Sequence, residues 1–383
     1  MRTQRILAGM LAWAGAWTTA APAQRAVPAP TRGDADVVER ILSVAGEGFH
    51  LRTTDHFVIG YDTDYAVLRG LIGRLEGTYD ATVRFCDAYR LHAAPRVDRL
   101  GVILFGSFET YAEAARRFDL DPSAVAGFYS QESNLAMFCD VADTPALRPI
   151  AKEIARLQER IAVMNGSAGG ARGDARRQGV VAALTANRAV RDRFVDQFNR
   201  FVIQHEAVHQ VLFNIGVHPR GAAQPTWLVE GLACQFEVPQ TERSGRLRQI
   251  NHMRLADFRD ALGAVDADNG IDAGAVADAV ASGRLLPLRS LIGDDGAFRN
   301  AGDATLYRYA QAWALTYYVS RERPDGFSNL LRDLAARRRG VAVGADEELE
   351  TFERAFGRVD EPFESSWIAF VMGLRFDPRE AGR

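Results

Sequence analysis

The chain contains few cysteines, a single lysine and no excess of charge of either sign. Three cysteines among 383 residues are too few for a disulfide framework, and their spacing does not resemble a cysteine-based metal site. The 46 basic residues are arginines except for Lys152, and 49 acidic residues are interspersed with them. Because neither sign dominates, the composition predicts no nucleic-acid partner.

Long hydrophobic runs are also absent after the N-terminus. Residues 1–23 begin with two arginines, continue through an apolar run from Ile6 to Trp17 and end at a small-residue site around Ala23. This pattern predicts a secretory signal peptide, with a membrane anchor as the alternative, although the run is shorter than the roughly twenty residues that span a bilayer. We therefore expect an exported protein, periplasmic or extracellular, with no membrane span in the mature chain.

An H-E-x-x-H motif is present at residues 205–209, within a stretch of helical periodicity. Residues four apart lie on one face of an α-helix, so His205 and His209 can present imidazole nitrogens to one metal ion. Neutral imidazole suits Zn²⁺, and Glu206 stands beside the ligands, where a carboxylate can take a proton from water. The motif therefore predicts a zinc site with Glu206 as the catalytic base.

A motif of this length also occurs by chance, and two histidines can then lie on an ordinary helix. Neighbouring apolar residues favour the metal site, because they recur at three- and four-residue spacing on the face that carries both histidines. Buried imidazole rings on such a face need partners. The apolar residues are Phe194, Phe198, Phe201, Val202, Val208 and Leu212.

A third metal ligand is expected in the segment Thr226-Trp-Leu-Val-Glu230-Gly-Leu-Ala. A catalytic zinc takes three protein ligands, so two histidines require one more donor. Thr226 is suited to the N-cap of a short helix that carries Glu230, and glycines and prolines between the two segments allow the chain to turn back. The alternative is that Glu230 is an exposed helical carboxylate.

These two elements together resemble the gluzincin metallopeptidases, the peptidase MA-like superfamily. The W-L-x-E-G-x-A element is similar to that of M1-type aminopeptidases, and the overall layout is similar to exported bacterial gluzincin-like proteins of unknown function. The resemblance implies that His205, His209 and Glu230 bind zinc and that Glu206 is the base. The G-x-M-E-N element of M1-type aminopeptidases is absent, so exopeptidase specificity is not supported and we expect an endopeptidase.

Two further site positions are less determined. The segment Tyr307-Arg-Tyr309-Ala-Gln resembles the place where M1-type enzymes carry a tyrosine that stabilises an oxyanion, and Tyr309 matches that position. Tyrosines clustered in a helix are alternatively core residues. Thermolysin-like relatives have an aspartate four residues after the third ligand, where this chain has Cys234. The residues that orient the histidines are therefore not identified.

The cysteines have two possible states in an oxidising compartment. Cys86 and Cys139 are the better pair for one disulfide, because Cys234 lies beside Glu230. A buried free thiol is equally compatible with each of the three positions.

The periodicities predict an α+β fold, in which a small mixed N-terminal lobe precedes a mainly α-helical zincin lobe and the active-site cleft lies between them. Residues 24–46 are assigned to a linker, 47–145 to the first lobe and 191–383 to the helical lobe. Residues 146–190 are interpreted as a helical, glycine-rich insertion that is either a lid or a solvated excursion.

Strands are expected at 56–61, 100–105, 124–130 and 134–139, the last two as a hairpin, and helices at 67–86 and 108–118. In the gluzincins an edge strand lies along the cleft, and such an edge can bind an extended peptide. Residues 134–139 are our candidate for this strand. After Glu230 the patterns are helical, at 250–262, 275–282, 307–319, 327–337, 347–356 and 363–374.

The sequence thus favours an exported zinc metallopeptidase that acts on peptides or proteins. Two alternatives have other chemistry: a non-catalytic envelope-binding or maintenance protein that keeps a zinc-containing zincin scaffold, and a zinc hydrolase of non-peptide amides. His218, in the connector between the two metal-binding segments, either approaches the site or is simply solvated.

Overall fold

A computed structural model describes residues 34–93, 98–122, 127–165, 171–240, 243–263, 273–294, 296–299 and 304–380. The predicted signal peptide and part of the predicted linker lie outside these residues, as does most of the glycine-rich connector at 165–173. The α+β class is confirmed, because a sheet in the N-terminal half is followed by a helical C-terminal part.

The N-terminal part contains one mixed five-stranded sheet with the order β1-β2-β3-β5-β4. β1 and β2 are antiparallel, β3 runs parallel to both β2 and β5, and β4 returns antiparallel to β5 as the predicted hairpin. The strands are β1 (His50–Thr53), β2 (Phe57–Tyr61), β3 (Leu100–Phe105), β4 (Gly127–Ser130) and β5 (Leu135–Cys139).

Helices cover both faces of this sheet. β3 is buried along its whole length because Val102 and Leu104 face the main core, whereas Ile103 and Phe105 face a second, smaller core. Uninterrupted apolar strands are typical of parallel neighbours that are covered on both sides. The N-terminal helices are α1 (Asp34–Ala45), α2 (Tyr65–Ala88) and α3 (Phe108–Arg116), of which α1 and α3 contribute to the second core.

α1 contradicts the linker assignment for residues 34–45. Val37 and Ile41 lie one helical turn apart and are buried in the second core. Gly60 and Gly101 allow this helix to approach the sheet, because a Cβ on either residue would contact Ile41 or Val37. The apolar i, i+4 spacing predicts such a helix, but the Ala- and Pro-rich residues before it obscured the signal.

The edge-strand prediction is also wrong in its choice of strand. β5, which contains most of residues 134–139, is an interior strand between β3 and β4, so β4 forms the sheet edge on that side and β1 the opposite edge. Sequence patterns place strands in a chain but do not order them in a sheet. Any peptide that pairs with this edge must therefore pair with β4.

The predicted insertion is continuous with the helix that carries the H-E-x-x-H motif. α4 (Arg148–Asn165) forms the first helix of the predicted insertion, and α5 (Ala171–Asn214) runs for 44 residues through the proposed boundary at residues 190 and 191. Ile154 and Leu157 of α4 pack against Val180 and Leu184 of α5 in a small separate core. We call α4 and residues 171–193 of α5 the helical hairpin.

The remainder of the described chain is helical, and the six helices predicted after Glu230 are confirmed within a few residues. The main core contains residues of both the sheet and these helices, so the two predicted lobes share one core. No helix within the described ranges is long and apolar enough to cross a membrane. These helices are α6 (Thr226–Phe236), α7 (His252–Ala261), α8 (Ala273–Ala281), α9 (Leu288–Gly293), α10 (Gly296–Arg299), α11 (Thr305–Glu322), α12 (Pro324–Ala335), α13 (Ala345–Phe356) and α14 (Glu361–Met372).

Candidate metal centre

The last turns of α5 place His205 and His209 side by side. Their ring centroids are 4.7 Å apart and the ring planes are nearly perpendicular, at 80°. Both side chains are buried, as the apolar face of the helix predicts. The i, i+4 spacing therefore produces the expected pair of imidazoles within the core.

α6 brings Glu230 to the same point, beside the two histidines. Glu230 Oε2 lies 3.1 Å from His205 Nε2 and 3.6 Å from His209 Nε2. Ligand atoms of the three residues lie within 4.8 Å of one another, and the group could hold a metal ion. The N-cap of α6 is Pro225 and not Thr226, so the helix begins one residue earlier than the predicted cap requires.

Gly231 allows α6 to pack closely against α11. A Cβ at this position would lie 2.5 Å from the carbonyl oxygen of Ala312 and would also collide with the Thr316 hydroxyl. A backbone oxygen cannot rotate away as a flexible side chain can. The glycine after Glu230 thus sets the distance at which α11 supports the metal-binding helix.

We expect Gly231→Ala to destabilise the protein by about 1–3 kcal/mol, because overpacking outweighs the better helix propensity of alanine. Gly179→Ala in α5 is a matched control, since a Cβ there meets nothing within 4 Å. It should stabilise the protein by about 0.5–1 kcal/mol. Urea unfolding of both variants measures the two changes, and equal effects would contradict the packing argument.

A buried ion pair that the sequence did not reveal orients His205. Glu237 Oε1 lies 3.1 Å from His205 Nδ1, so the imidazole can turn Nε2 toward Glu230. Arg254 binds both oxygens of Glu237, with Nη2 2.5 Å from Oε1 and Nε 2.9 Å from Oε2. Asn251 donates a further 2.7 Å hydrogen bond to Oε2. A carboxylate that fixes a histidine in this way sets both its tautomer and its orientation.

The spacing between Glu230 and Glu237 could have predicted that Glu237 lies near the site. It lies seven residues after Glu230, which places it near the same face of α6 two turns later. Arg254 carried no such signal, because it follows at the start of α7 and reaches Glu237 only through the tertiary fold.

His205, Cys234 and Glu237 form a second group with close ligand atoms. The chemistry of this group does not favour a metal ion. Arg254 and Asn251 already engage both oxygens of Glu237, and a guanidinium beside the group repels a cation. Burial raises the pKa of the Cys234 thiol to about 11, so it is protonated at neutral pH. Cys86, Cys139 and Cys234 are free and buried, and the structure therefore has no Cys86–Cys139 disulfide.

Without a metal ion, His205 carries a proton between two acids. Burial lowers the pKa of this imidazole, but hydrogen bonds with Cys234, Glu230 and Glu237 raise it well above its ordinary value. The pKa of His209 is lowered, chiefly by burial. Burial opposes ionisation of Glu230, yet His209 and His205 lower its pKa to about 2. The proton on His205 Nε2 thus occupies the direction in which a metal ion would bind.

Metal binding should release this proton. At neutral pH we expect at least about one proton released per metal ion bound, and an affinity that increases with pH, because the ion needs the lone pair of Nε2. Calorimetric titration in buffers of different ionisation enthalpy measures the number. A metal that binds without proton release would contradict the protonated state of His205.

Glu206 lies beside the histidines and contacts the edge strand. Its Oε2 accepts a 2.9 Å hydrogen bond from the backbone N–H of Tyr129 in β4, whereas Oε1 is buried without a hydrogen-bond partner in the described part of the chain. Burial, opposed by the charge of His205 and reinforced by that of Glu230, raises the pKa of Glu206 to about 8. With this pKa the metal-free site keeps Glu206 largely protonated at neutral pH, and a bound cation would lower the pKa and leave Oε1 free to accept a proton from water.

α11 contains four tyrosines, of which the structure brings Tyr309 to the site; the others are Tyr307, Tyr317 and Tyr318. Its ring packs edge-on against His205 with centroids 5.9 Å apart, and the Arg254 guanidinium lies 5.4 Å from the ring centroid. Burial, followed by the charges of Glu230, Cys234 and Glu206, raises the pKa of the Tyr309 phenol well above its ordinary value. Tyr307 and Tyr317 bind elsewhere, to Asp260 and to the Arg248 carbonyl.

His218 is buried and not solvated. Its Nδ1 lies 3.2 Å from Gln224 Oε1 and its ring packs against Phe213, with centroids 5.2 Å apart. Burial lowers its pKa to about 3, so the ring is neutral. His218 is not among the residues whose ligand atoms cluster in the metal group.

The site is closed, which differs from the predicted cleft. Glu206 exposes 3% of its surface, His209 1%, and His205 and Glu230 none. β4 covers Glu206, and Tyr309 covers one side of His205. Patterns of polar and apolar residues predict that ligands face inward, but they do not show whether an opening reaches them.

The fold and site together define an α+β protein with a buried His-His-Glu group that could hold a metal ion. A family described as protein of unknown function (DUF1570) matches residues 201–341, a range that contains the whole group together with Glu237, Arg254 and Tyr309. No curated protein and no solved structure matches the chain. The resemblance to gluzincins stays a prediction from the two sequence motifs.

Proposed function

We propose that the protein is an exported zinc metallopeptidase of the gluzincin type. The observation that carries the proposal is the convergence of His205, His209 and Glu230 from two helices, with Glu206 beside them. Two imidazoles and one carboxylate form the ligand set that catalytic zinc takes in hydrolases of this type, with one position left for water or substrate. The peptide substrate and the export are inferred from sequence.

The residues at the site fit a bound zinc ion. Glu230 Oε1 is buried and lacks a hydrogen-bond partner among the described residues, and an orphaned buried carboxylate oxygen is costly unless a cation or donor satisfies it. Glu237 already occupies His205 Nδ1, which leaves Nε2 as the ligand atom. When bound, zinc would act as a Lewis acid toward the scissile carbonyl and would lower the pKa of water.

Side chains of the protein would carry out the remaining proton transfers and hydrogen bonding. Glu206 would take a proton from water at its uncommitted Oε1 and deliver it to the leaving amine, while the Tyr129 N–H holds Oε2 in place. Tyr309, protonated at neutral pH because its pKa is raised, would donate a hydrogen bond to the developing oxyanion. Arg254 positions both Glu237 and the Tyr309 ring.

Substrate access requires the site to open. β4 is the sheet edge closest to Glu206, and a Cβ on Gly127 would lie 2.6 Å from Val202 of α5. α5 therefore packs on the face of β4. The Tyr129 N–H of β4 already donates to Glu206 Oε2, so a peptide that pairs with this strand would have to compete for that donor.

The burial of the site favours a second candidate function, a non-catalytic envelope protein that uses zinc for structure. Closed metal sites with no accessible position are typical of structural zinc. The uncommitted Glu206 oxygen favours catalysis, since a structural site needs no base. Hydrolysis of a non-peptide amide is a third possibility with the same residues.

An unbiased peptide library distinguishes these functions. We expect purified protein to contain about one zinc ion per chain, as a three-ligand site implies, and to cleave internal bonds of library peptides. Treatment with a chelator should abolish cleavage, and added zinc should restore it. Tightly bound zinc without cleavage of any peptide would favour the structural role, and the absence of zinc would contradict both.

A further inference from the structure

The helical hairpin stands apart from the metal centre and has its own core. Ile154, Leu157, Val180 and Leu184 form a cluster that contains residues of α4 and α5 alone, and the main core resumes on α5 at Phe194. At a rise of 1.5 Å per residue, the part of α5 before Phe194 is about 35 Å long. The hairpin is thus an arm whose outer surfaces are available for contacts.

Positive charge is concentrated on this arm. The described side chains of residues 148–165 and 173–193 include nine basic and four acidic residues, in a chain whose acidic residues outnumber its basic ones. The composition of the whole chain therefore does not indicate a basic surface. The fold nevertheless places these basic residues together on the helical hairpin. The basic residues are Arg148, Lys152, Arg156, Arg160, Arg176, Arg177, Arg188, Arg191 and Arg193.

Four of these residues form a stripe along α4. Arg148, Lys152, Arg156 and Arg160 are spaced four apart, on the side opposite the buried Ile154. Like charges at this spacing repel one another and disfavour the helix. Arg148 is neutralised at the base of the arm by Glu109 and Asp143, and Arg156 has a single exposed pair with Glu153 at 3.4 Å. An exposed pair of this kind contributes little, and the stripe continues outward to Arg160. A partner with negative charge would relieve this repulsion.

Exposed valines accompany the basic residues. Val163, near the end of α4, is 72% exposed, and Val181 of α5 is 41% exposed. They are two of only five large hydrophobic residues that are exposed in the described chain. No aromatic residue occurs between residues 148 and 193, so the arm lacks the stacking groups that bind single-stranded nucleic acids.

We propose that the helical hairpin docks the protein on an anionic membrane surface. Guanidinium groups bind phosphate oxygens through two parallel hydrogen bonds, and the stripe on α4 presents three of them, with the Lys152 ammonium, along one line. Val163 would enter the boundary between headgroups and acyl chains, as apolar residues of interfacial helices do. This role requires neither hydrolysis nor a bound metal ion.

Vesicle binding of the full chain tests the proposal. We expect stronger binding to vesicles that contain phosphatidylglycerol than to phosphatidylcholine alone, and weaker binding as salt is added. The N-terminal apolar run could bind either vesicle, so the readout is the difference between the two. Each basic residue near such a surface contributes about fivefold in partitioning, so Lys152→Glu/Arg156→Glu/Arg160→Glu should lose at least about a hundredfold.

A matched variant controls for total charge. Arg116, Arg338 and Arg339 are exposed outside the arm, and their reversal to glutamate changes the net charge equally while binding should stay within a few-fold of wild type. If the α4 variant loses helicity, Arg176→Glu/Arg177→Glu tests the other helix. Val163→Ser should weaken binding a few-fold without changing its salt dependence.

Three results would overturn the proposal. They are equal binding to both kinds of vesicle, equal losses in the arm and control variants, and tighter binding of a DNA duplex than of the anionic vesicles. The last would assign the arm to nucleic acid.

Discussion

Glu206→Gln should retain the metal ion and lose peptide hydrolysis. The amide oxygen can still accept the hydrogen bond from the Tyr129 N–H, so the contact with β4 is preserved. The side chain can no longer take a proton from water, and loss of a general base costs about 10²–10⁴-fold in rate. Metal analysis and turnover of a library-derived peptide measure the two properties on one sample.

The matched control is Glu153→Gln, which removes a carboxylate from the surface of α4 far from the site. It should leave both metal content and turnover unchanged. If Glu206→Gln cleaved peptide at the wild-type rate, the base would have to be another residue. Loss of metal in the variant would show instead that Glu206 supports the ligands.

The same variant should change how the metal-free protein responds to pH. The pKa of Glu206 is 4.5 in its ordinary state and about 8 in the fold, so the folded chain binds this proton more tightly than the unfolded chain. The contribution of Glu206 to the free energy of unfolding is therefore fully present below the ordinary pKa of 4.5. It is lost as the pH rises through the pKa of the folded chain, about 8. The free energy of unfolding of Glu206→Gln should therefore not show this decrease when it is measured from acid to alkaline pH.

Arg254→Met should destabilise the protein by about 3–5 kcal/mol, because it leaves the Glu237 carboxylate buried without its cation. Both members of this pair are buried. Removing the arginine also frees Glu237 from its fixed position, and loss of such a support typically weakens metal binding about 10–100-fold. Urea unfolding of the metal-free protein and competition with a chelating dye measure the two effects separately.

A surface ion pair provides the comparison. Arg289 pairs with Glu353 at 3.1 Å but is more than half exposed, so Arg289→Met should cost less than about 1 kcal/mol and leave metal affinity unchanged. Adding Glu237→Gln to Arg254→Met should recover part of the lost stability, since the double variant no longer buries the Glu237 carboxylate without its arginine. If the double variant lost as much stability as the two single variants lose together, this account would be contradicted.

Much of the site was predictable because its first part is local. His205 and His209 are four residues apart, and a helix alone places them on one face. Glu230 was predictable from a second local pattern, a short apolar helix that contains one carboxylate. The prediction of Tyr309 depended on the resemblance to a family, because the sequence pattern alone does not separate it from the three other tyrosines of the same helix.

The errors have a common cause. β5 was chosen as the edge strand because a hairpin does not reveal which of its strands meets β3. Residues 34–45 were assigned to a linker because the groove that receives Val37 and Ile41 is built by distant strands. An open cleft was expected because residue patterns predict only that the ligands face inward. They do not show which elements of the fold cover the ligands.

The sequence by itself determined most of the elements, the α+β class and the set His205, Glu206, His209 and Glu230, because each depends on spacing within one or two short segments. Only the tertiary structure decided the edge strand, the Arg254–Glu237 pair that orients His205, the closure of the site and the basic arm. These depend on contacts between residues far apart in the chain, where burial removes water and fixes the partner and protonation state of each group.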